Sequence, residues 1–148
     1  METYKTNAKG WSVFELAGRH RRALFMEREI LRQITGWFTV VPQWEIKHRM
    51  GYHAFAHAEH AQWLYERLEN LRGGNPEASI ESDFINDVKK NIDAPNAEAF
   101  LAGIYQNLLP KLLAEYQETL AGADAAANAF DIRLIRRIIP EIQEQIRW

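Results

Sequence analysis

Apolar residues recur at spacings of three and four along four long segments of the chain, the pattern of α-helices that each bury one face. The predicted helices span residues 13–37, 43–72, 96–120 and 124–148. A short helical turn is also predicted at residues 84–88, and no segment alternates convincingly as a β-strand does. The predicted fold class is therefore all-α.

The connections between these helices predict how they are arranged. Short breaks at residues 40–42 and 122–124 join the first two and the last two helices, so each pair should be antiparallel. The stretch 73–95 is long enough to travel the length of a bundle before the third helix begins. Two antiparallel pairs joined by a long 2–3 crossover make a ferritin-like four-helix bundle, predicted as one domain over residues 1–148. Since the last pattern still runs at Trp148, we leave open that the sequence is an excerpt of a longer protein.

Three residues predict local features of the last two helices. Pro110 lies inside the third and should kink it or leave one carbonyl unpaired. Pro140 should kink the fourth in the same way. Asp124 precedes the fourth helix and is a suitable N-cap, because its carboxylate can accept a hydrogen bond from the first helical turn.

Charge and composition exclude several function classes. The formal net charge is −2 and the pI about 6.2, without the clustered basic excess of a nucleic-acid-binding protein. The absence of cysteine excludes disulfides, thiolate metal sites, iron–sulfur clusters and a cysteine nucleophile. The sequence contains no signal-peptide core, membrane-spanning run, phosphate-binding glycine loop or serine nucleophile elbow. We therefore expect a cytoplasmic protein without nucleic-acid or membrane partners and without a nucleotide cofactor.

Three histidines occupy positions where a helix normally buries leucine or isoleucine. His53, His57 and His60 follow one another on the apolar stripe of the second predicted helix. Burying an ionisable group costs several kcal/mol unless the group is hydrogen-bonded, neutralised or bound to a metal. Three such residues on one stripe therefore require polar partners on neighbouring helices.

Counting residues outward from the two short connections predicts those partners. With the first reversal centred near residue 40, Glu27 is predicted to lie level with His53. The same count about the second reversal predicts that Glu115 and Asp131 are level with each other. The predicted lower layer contains His20, His60, Glu115 and Asp131, and the upper layer contains Glu27, His53, Tyr105 and Glu141.

Carboxylates and imidazoles that converge inside a helical bundle form a site suited to iron or manganese, and less well to zinc. The predicted metal ligands are Glu27, His53, His57, His60, Glu115 and Asp131, and no catalytic residue is assigned. An alternative is a buried polar network, in which histidines pair with carboxylates and specify the packing without metal. A third hypothesis is a metal-free pocket in which the histidines are hydrogen-bond partners of a small molecule.

The segment from Trp44 to Arg72, WEIKHRMGYHAFAHAEHAQWLYERLENLR, resembles an uncharacterised bacterial family of ferritin-like proteins. Members carry a similar W-E-x-K stretch, an H-x-x-x-x-A-E-H run and an R-x-x-x-L-R ending. The segments LAGIYQNLLPKLLAEYQETL and FDIRLIRRIIPEIQEQIRW resemble the third and the closing helix of the same family. The resemblance implies a ferritin-like bundle but no known reaction. Carried onto this chain, it implies site residues at Glu27, His53, Glu59, His60 and Asp131.

The ligand pattern departs from that of well-characterised ferritin-like di-iron proteins, which resemble one another in carrying Glu-x-x-His on the second and fourth helices. The nearest equivalents here are His57-x-x-His60 and Glu141-x-x-Glu144. His57 stands where the resemblance leads us to expect an acid. Glu59 lies off the stripe of His57, so it either bonds to a neighbouring helix or is a surface residue.

Two further patterns on the second helix are interpreted as structural. Glu45-x-x-His48 has the spacing of metal ligands but lies in the first turn and off the main stripe, which indicates a surface pair. Tyr52, Phe55 and Trp63 follow a second face of the helix, which indicates core packing or a homodimer contact.

The leading functional hypothesis is a ferritin-like metal-binding protein, a non-haem iron or manganese oxidase or oxygenase that acts on a small molecule. The alternative is a non-catalytic helical scaffold or interaction domain with a buried histidine–carboxylate network and no metal. The two hypotheses differ in whether the purified protein carries a metal.

Overall fold

A computed structural model describes residues 10–76 and 83–148, and every regular element in those ranges is helical, which confirms the all-α prediction for them. The α-helices are α1 (Val13–Trp37), α2 (Trp44–Leu71), α3 (Asp83–Ile92), α4 (Ala97–Gly103), α5 (Leu109–Ala121) and α6 (Ala129–Arg147). A π-helical turn, Ile104–Leu108, joins α4 to α5 without a break. Within the described ranges, no helix is long and apolar enough to cross a membrane.

The first two helices begin and end close to their predicted boundaries. Ser12 starts α1 with a capping box: its hydroxyl accepts a hydrogen bond from the backbone of Glu15, whose carboxylate accepts one from the backbone of Ser12. At the end of α2, Arg72 adopts a left-handed φ of 52°, and the N–H of Gly73 donates to the carbonyl of Leu68. A Cβ at Gly73 would lie 2.7 Å from a methyl group of Leu68, so a side chain there would have to displace Leu68.

The last long helix begins later than predicted. The carboxylate of Asp124 accepts hydrogen bonds from the backbone N–H groups of Ala126 and Ala127 and so closes a separate turn. Helix α6 therefore starts at Ala129, and Asp124 is a turn residue rather than its N-cap. The predicted turn at residues 84–88 is part of the longer helix α3.

The π-helical turn accommodates Pro110. Proline has no N–H to donate to the carbonyl four residues earlier, which interrupts an α-helix. Immediately before it, the N–H of Leu109 donates five residues back to the carbonyl of Ile104, the hydrogen bond of a π-helix. This turn holds one more residue than an α-turn, so the buried face of the helix rotates beyond it. Pro140 lies inside α6, which continues to Arg147.

Contacts at the two ends of α1 define the direction of its neighbours. Near the start of α1, Arg21 donates to the carbonyl of Gly73 at the end of α2, so α1 and α2 are antiparallel. At the end of α1, Trp37 stacks on Phe100 of α4, with ring centroids 4.6 Å apart. Because the start of α1 meets the end of α5, as described below, the α4–α5 helix also runs antiparallel to α1.

Helix α6 runs antiparallel to α2. Near the middle of α2, His57 contacts Gln145 close to the end of α6. Nearer the C-terminal end of α2, Arg67 contacts Asp131 at the start of α6. Helices α1 and α6 therefore point one way, and α2 and the α4–α5 helix point the other.

Helix α3 fastens the long connection to the other helices through buried polar contacts. The amide of Gln33 in α1 donates to the carbonyl of Val88 at 2.7 Å, and the amide of Asn91 donates to Gln33 at 2.8 Å. Gly103 in α4 leaves room for Asn91, since a Cβ there would lie 1.6 Å from its side-chain oxygen. The connection is thus held at the end of the molecule where α1 ends and α4 begins.

Candidate metal centre

One carboxylate from α1 and two imidazoles from α2 meet in the interior of the molecule. Glu27, His57 and His60 each have 0% of their surface exposed. Nδ1 of His57 lies 2.5 Å from Oε2 of Glu27, and Nδ1 of His60 lies 3.0 Å from Oε1 of the same carboxylate. One ligand atom from each residue lies within 4.8 Å of the other two. We call these three residues the Glu27 cluster.

Helix α6 holds the outer nitrogen of each imidazole. Nε2 of His57 lies 2.8 Å from Oε1 of Gln145, and Nε2 of His60 contacts the carboxylate of Glu141. A histidine that binds metal almost always has its other nitrogen bonded in this way, because the outer bond fixes the orientation of the ring. Both rings therefore direct Nδ1 at Glu27 while Nε2 is engaged elsewhere.

The charge distribution keeps Glu27 ionised. Burial alone would raise the pKa of Glu27, but the charge and hydrogen bonds of His57 and His60 outweigh it and lower the pKa to about 2. Burial alone would lower the pKa of His60, yet its contacts with Glu27 and Glu141 raise it. Tyr116 donates its hydroxyl to Oε1 of Glu27 at 2.8 Å. Burial and the charge of Glu27 raise the pKa of that phenol, so Tyr116 stays a neutral donor.

His53 lies one turn before His57 and has different partners. Its Nδ1 is 2.6 Å from the hydroxyl of Tyr105, and the ring of Trp148 lies edge-on with centroids 5.3 Å apart. Burial, with the charges of His57 and Arg49, lowers the pKa of His53 to about 4, so the ring is neutral at pH 7. Burial also raises the pKa of Tyr105. His53 and Tyr105 are therefore a neutral hydrogen-bonded pair.

A second buried carboxylate, Asp131, is neutralised by an arginine. Arg67 donates from Nε to Oδ1 at 2.8 Å and from Nη2 to Oδ2 at 3.0 Å, a two-pronged contact. Nε2 of His20 lies 2.8 Å from Oδ1. Burial alone would raise the pKa of Asp131, but the hydrogen bonds from His20 and Arg67 outweigh it and lower the pKa to about 2. We call these three residues the Asp131 group.

Glu115 is also occupied by arginines. Arg22 donates from Nε to Oε2 at 2.9 Å, and Nη1 of Arg19 lies 3.7 Å from Oε1. Arg19 also bonds to Glu118 near the end of α5 at 3.0 Å. These contacts join the start of α1 to the end of α5.

The structure brings three of the six predicted ligands together and separates the others. Glu27, His57 and His60 form the Glu27 cluster, whereas His53, Glu115 and Asp131 lie outside it with the partners described above. Of the predicted lower layer, His20 and Asp131 do meet. That any of these residues binds a metal stays a prediction.

The predicted levels are displaced by about one helical turn between α1 and α2. Glu27 is level with His57 and His60 rather than with His53. The reason lies in the connection: the N–H groups of Val40 and Val41 bond to the carbonyl of Trp37, so the chain continues α1 before it reverses. The chain therefore reverses after residue 40, and the predicted centre of the reversal was wrong.

Two residues of the site were absent from the predicted layers. Gln145 lies four residues after Glu141 and continues the buried stripe of α6, a signal present in the sequence. Tyr116 adjoins the predicted stripe of Leu112, Glu115 and Thr119, and these three residues are buried as predicted. Tyr116 lies four residues after Leu112, a helical spacing also present in the sequence, and has 1% of its surface exposed.

The remaining predicted positions lie on the outer part of α2. Glu45 and His48 are both exposed, which confirms the surface pair. Glu59 is half-buried and lies outside the Glu27 cluster. Tyr52 and Phe55 are exposed, so they are not core residues, and the homodimer contact stays a prediction. Trp63 packs partly buried against the core.

Imidazole nitrogen and carboxylate oxygen are ligands that iron, manganese and zinc accept in proteins. Among residues 10–76 and 83–148, the Glu27 cluster is the one group of three such side chains close enough to share an ion. No protein-family model matches the chain, and neither a curated protein nor a solved structure matches it.

Proposed function

We propose that this protein is a ferritin-like four-helix bundle that binds a metal ion through Glu27, His57 and His60. The proposed topology is supported by the helix directions, since α1 and α6 run opposite to α2 and the α4–α5 helix, with the long connection between α2 and α4. The absence of cysteine fits the reducing compartment in which we propose that it works, the cytoplasm.

The observation that carries the proposal is the convergence of two Nδ1 atoms and one carboxylate oxygen in a fully buried site. One ligand atom from each of the three residues lies within 4.8 Å of the others. One ion bound to each ligand at about 2.1 Å needs them at most roughly 4.2 Å apart, so the side chains would draw together when the ion binds. The outer bonds to Gln145 and Glu141 provide the support that metal-binding imidazoles need.

We propose iron or manganese as the bound ion, although catalytic zinc also accepts two histidines and one carboxylate. Two histidines and one carboxylate that leave coordination positions open are characteristic of non-haem iron(II) oxygenases. A structural zinc site would instead close its shell with a fourth protein ligand, commonly cysteine, and the chain has none. We therefore propose an oxidase or oxygenase that acts on a small molecule; the bound metal would supply the position at which dioxygen binds.

A second candidate is a helical scaffold that uses the same residues without metal. It is favoured by one observation: no buried side-chain nitrogen or oxygen in the described parts of the chain lacks a hydrogen-bond partner. A fully satisfied buried network can specify packing by itself. The two candidates differ in metal content and in the effect of apolar replacements.

The deciding experiment is elemental mass spectrometry of the chain, purified without a histidine tag or chelator and then reconstituted with iron(II), manganese(II) or zinc(II). We expect about one iron or manganese ion per chain, and consumption of dioxygen by the iron form. His60→Leu should abolish metal binding, whereas His48→Leu, which removes an exposed histidine from the same helix, should preserve it. Absence of all three metals after reconstitution would reject the metal proposal and favour the scaffold.

A further inference from the structure

A cavity of about 550 Å³ opens to solvent beside the Glu27 cluster. That volume lies within the range of small-molecule sites in proteins. Glu141 and Gln145, which hold the outer nitrogens of His60 and His57, form part of its wall. A molecule in this cavity is therefore separated from the two imidazoles by single side chains of α6.

Two arginines line the cavity from different helices. Arg49 belongs to α2 and Arg147 to the end of α6, and both are exposed. Neither guanidinium makes an ion pair or a hydrogen bond within residues 10–76 and 83–148, in contrast with Arg19, Arg22 and Arg67, which are bound to carboxylates. Arginine presents a fork of donors that matches a carboxylate, so the two side chains offer a site for one.

Two acidic side chains, Glu141 and Glu144, also line the cavity. Glu141 contacts Nε2 of His60, so it is held by the Glu27 cluster and not by an arginine. The guanidinium groups of Arg49 and Arg147 are therefore available to a ligand that carries a carboxylate.

The rest of the wall is aromatic. The rings of Tyr52 and Trp148 line the cavity, and 64% of the surface of Tyr52 is exposed there. His53, at the inner side, is neutral at pH 7 and bonded to Tyr105, so it adds no charge. Exposed aromatic rings beside a charged anchor suit a ligand with a flat or apolar body.

From this geometry we infer that the cavity is the substrate site and that its ligand is a small carboxylate with an apolar body, held by Arg49 and Arg147. The inference rests on the proposed metal-dependent function, because the wall shared with the Glu27 cluster is what makes this cavity a substrate site. Carboxylate binding itself needs no metal, so it can be tested separately.

The test is isothermal titration calorimetry of the metal-free full chain with benzoate and 3-phenylpropanoate, each compared with its neutral amide. We expect at least one carboxylate to bind, and its amide to bind at least about tenfold more weakly, because it lacks the charge that the guanidinium groups recognise. The double variant Arg49→Gln/Arg147→Gln should weaken carboxylate binding by about tenfold or more. Arg133→Gln/Arg136→Gln removes the same charge from exposed positions of α6 that line a different cavity, and should bind as the unmodified chain does.

The inference is overturned if neither carboxylate binds, if carboxylate and amide bind equally, or if the Arg49/Arg147 variant retains full affinity. Metal content of the same preparations separates the two proposals. Carboxylate binding by a protein that takes up no metal rejects the proposed function alone. Metal uptake without carboxylate binding rejects the assignment of the cavity alone.

Discussion

The Glu27 cluster and the Asp131 group are both built around a carboxylate that contacts histidine, yet only the carboxylate of Asp131 is also bound by an arginine. Both contain a buried carboxylate with a pKa of about 2 and at least one histidine at hydrogen-bond distance. At Asp131, Arg67 occupies both oxygens with a permanent positive charge. At Glu27, the partners are two imidazoles and a phenol. A metal ion can displace the proton between an imidazole and the carboxylate, whereas it cannot displace a guanidinium charge.

The difference teaches that burial and a lowered pKa do not by themselves identify a ligand. An arginine beside a carboxylate both fills its lone pairs and repels a cation. Glu115, which bonds to Arg22, belongs with Asp131 in this respect. The identity of the cationic partner therefore separates structural carboxylates from candidate ligands in this protein.

Removing the carboxylate of the Asp131 group should have the largest effect on folding. Asp131→Ala leaves Arg67 and buried His20 without their partner, and breaking such a pair typically costs about 3–5 kcal/mol. We expect that loss in the free energy of unfolding measured by urea denaturation at pH 7. Glu66→Ala, an exposed change on α2, should stay within about 0.5 kcal/mol. A loss below about 1 kcal/mol for Asp131→Ala would show that the group is not structural.

Removing the charge of Glu27 should have the next largest effect, on metal binding. Structural zinc sites with four ligands contribute about 10–16 kcal/mol, or about 2.5–4 kcal/mol for each ligand. Glu27→Gln should therefore lower metal affinity by roughly 100-fold to 1,000-fold. Asp131→Asn, which removes the same charge from the other region, should change it by less than about threefold. Competition with a chromophoric chelator measures the metal affinity of both variants. Equal losses of affinity would show that the Glu27 cluster is no more a metal site than the Asp131 group.

Acidification should lower the unfolding free energy of the metal-free protein by a smaller amount, through protonation of Asp131. The pKa of Asp131 is about 2 in the folded chain and 3.8 without its partners, so the unfolded chain binds its proton first. The contribution of Asp131 is therefore present above about pH 4 and is lost as the pH falls toward 2, and amounts to about 2 kcal/mol. The unfolding free energies of the unmodified chain and Asp131→Asn should converge over that range. A constant difference would contradict the pKa assigned to Asp131.

His53 and Tyr105 should give the smallest effect, because they contain no buried charge. His53→Leu alone leaves the hydroxyl of Tyr105 without its partner and should cost about 1–2 kcal/mol. The double variant His53→Leu/Tyr105→Phe removes both partners and should stay within about 1 kcal/mol of the unmodified chain. Both should keep their metal. If the double variant bound no metal, His53 would belong among the proposed metal ligands.

The helical periodicity of the sequence was sufficient to predict the two longest helices, since α1 agrees with residues 13–37 and α2 nearly with 43–72. It also predicted that His57 and His60 would be buried, because their stripe includes Leu64 and Leu68. The pairing between helices was less predictable. It depends on where each connection reverses, and the extra turn after Trp37 moves the level of Glu27 on α2 from His53 to His57 and His60.

The sequence also did not predict which carboxylates are paired with arginine. A sequence shows that Asp131 and Glu115 are on buried stripes, but long arginine side chains reach them from neighbouring helices. Arg67 lies seven residues after His60 on α2, and Arg22 lies on α1 between His20 and Ala23. Which carboxylate each of them neutralises depends on how the helices rotate against one another, and periodicity does not determine that rotation.

The π-helical turn also has a consequence for how the site could change during evolution. Phe100 and Tyr116 are sixteen residues apart, about 160° out of phase on a plain α-helix at about 100° per residue. Absorbing one residue in the wide turn reduces this offset to about 60°, so both can face the interior. The angular position of the phenol that bonds to Glu27 is thus set by a count of residues, which a single codon deletion would alter without changing any side chain of the site.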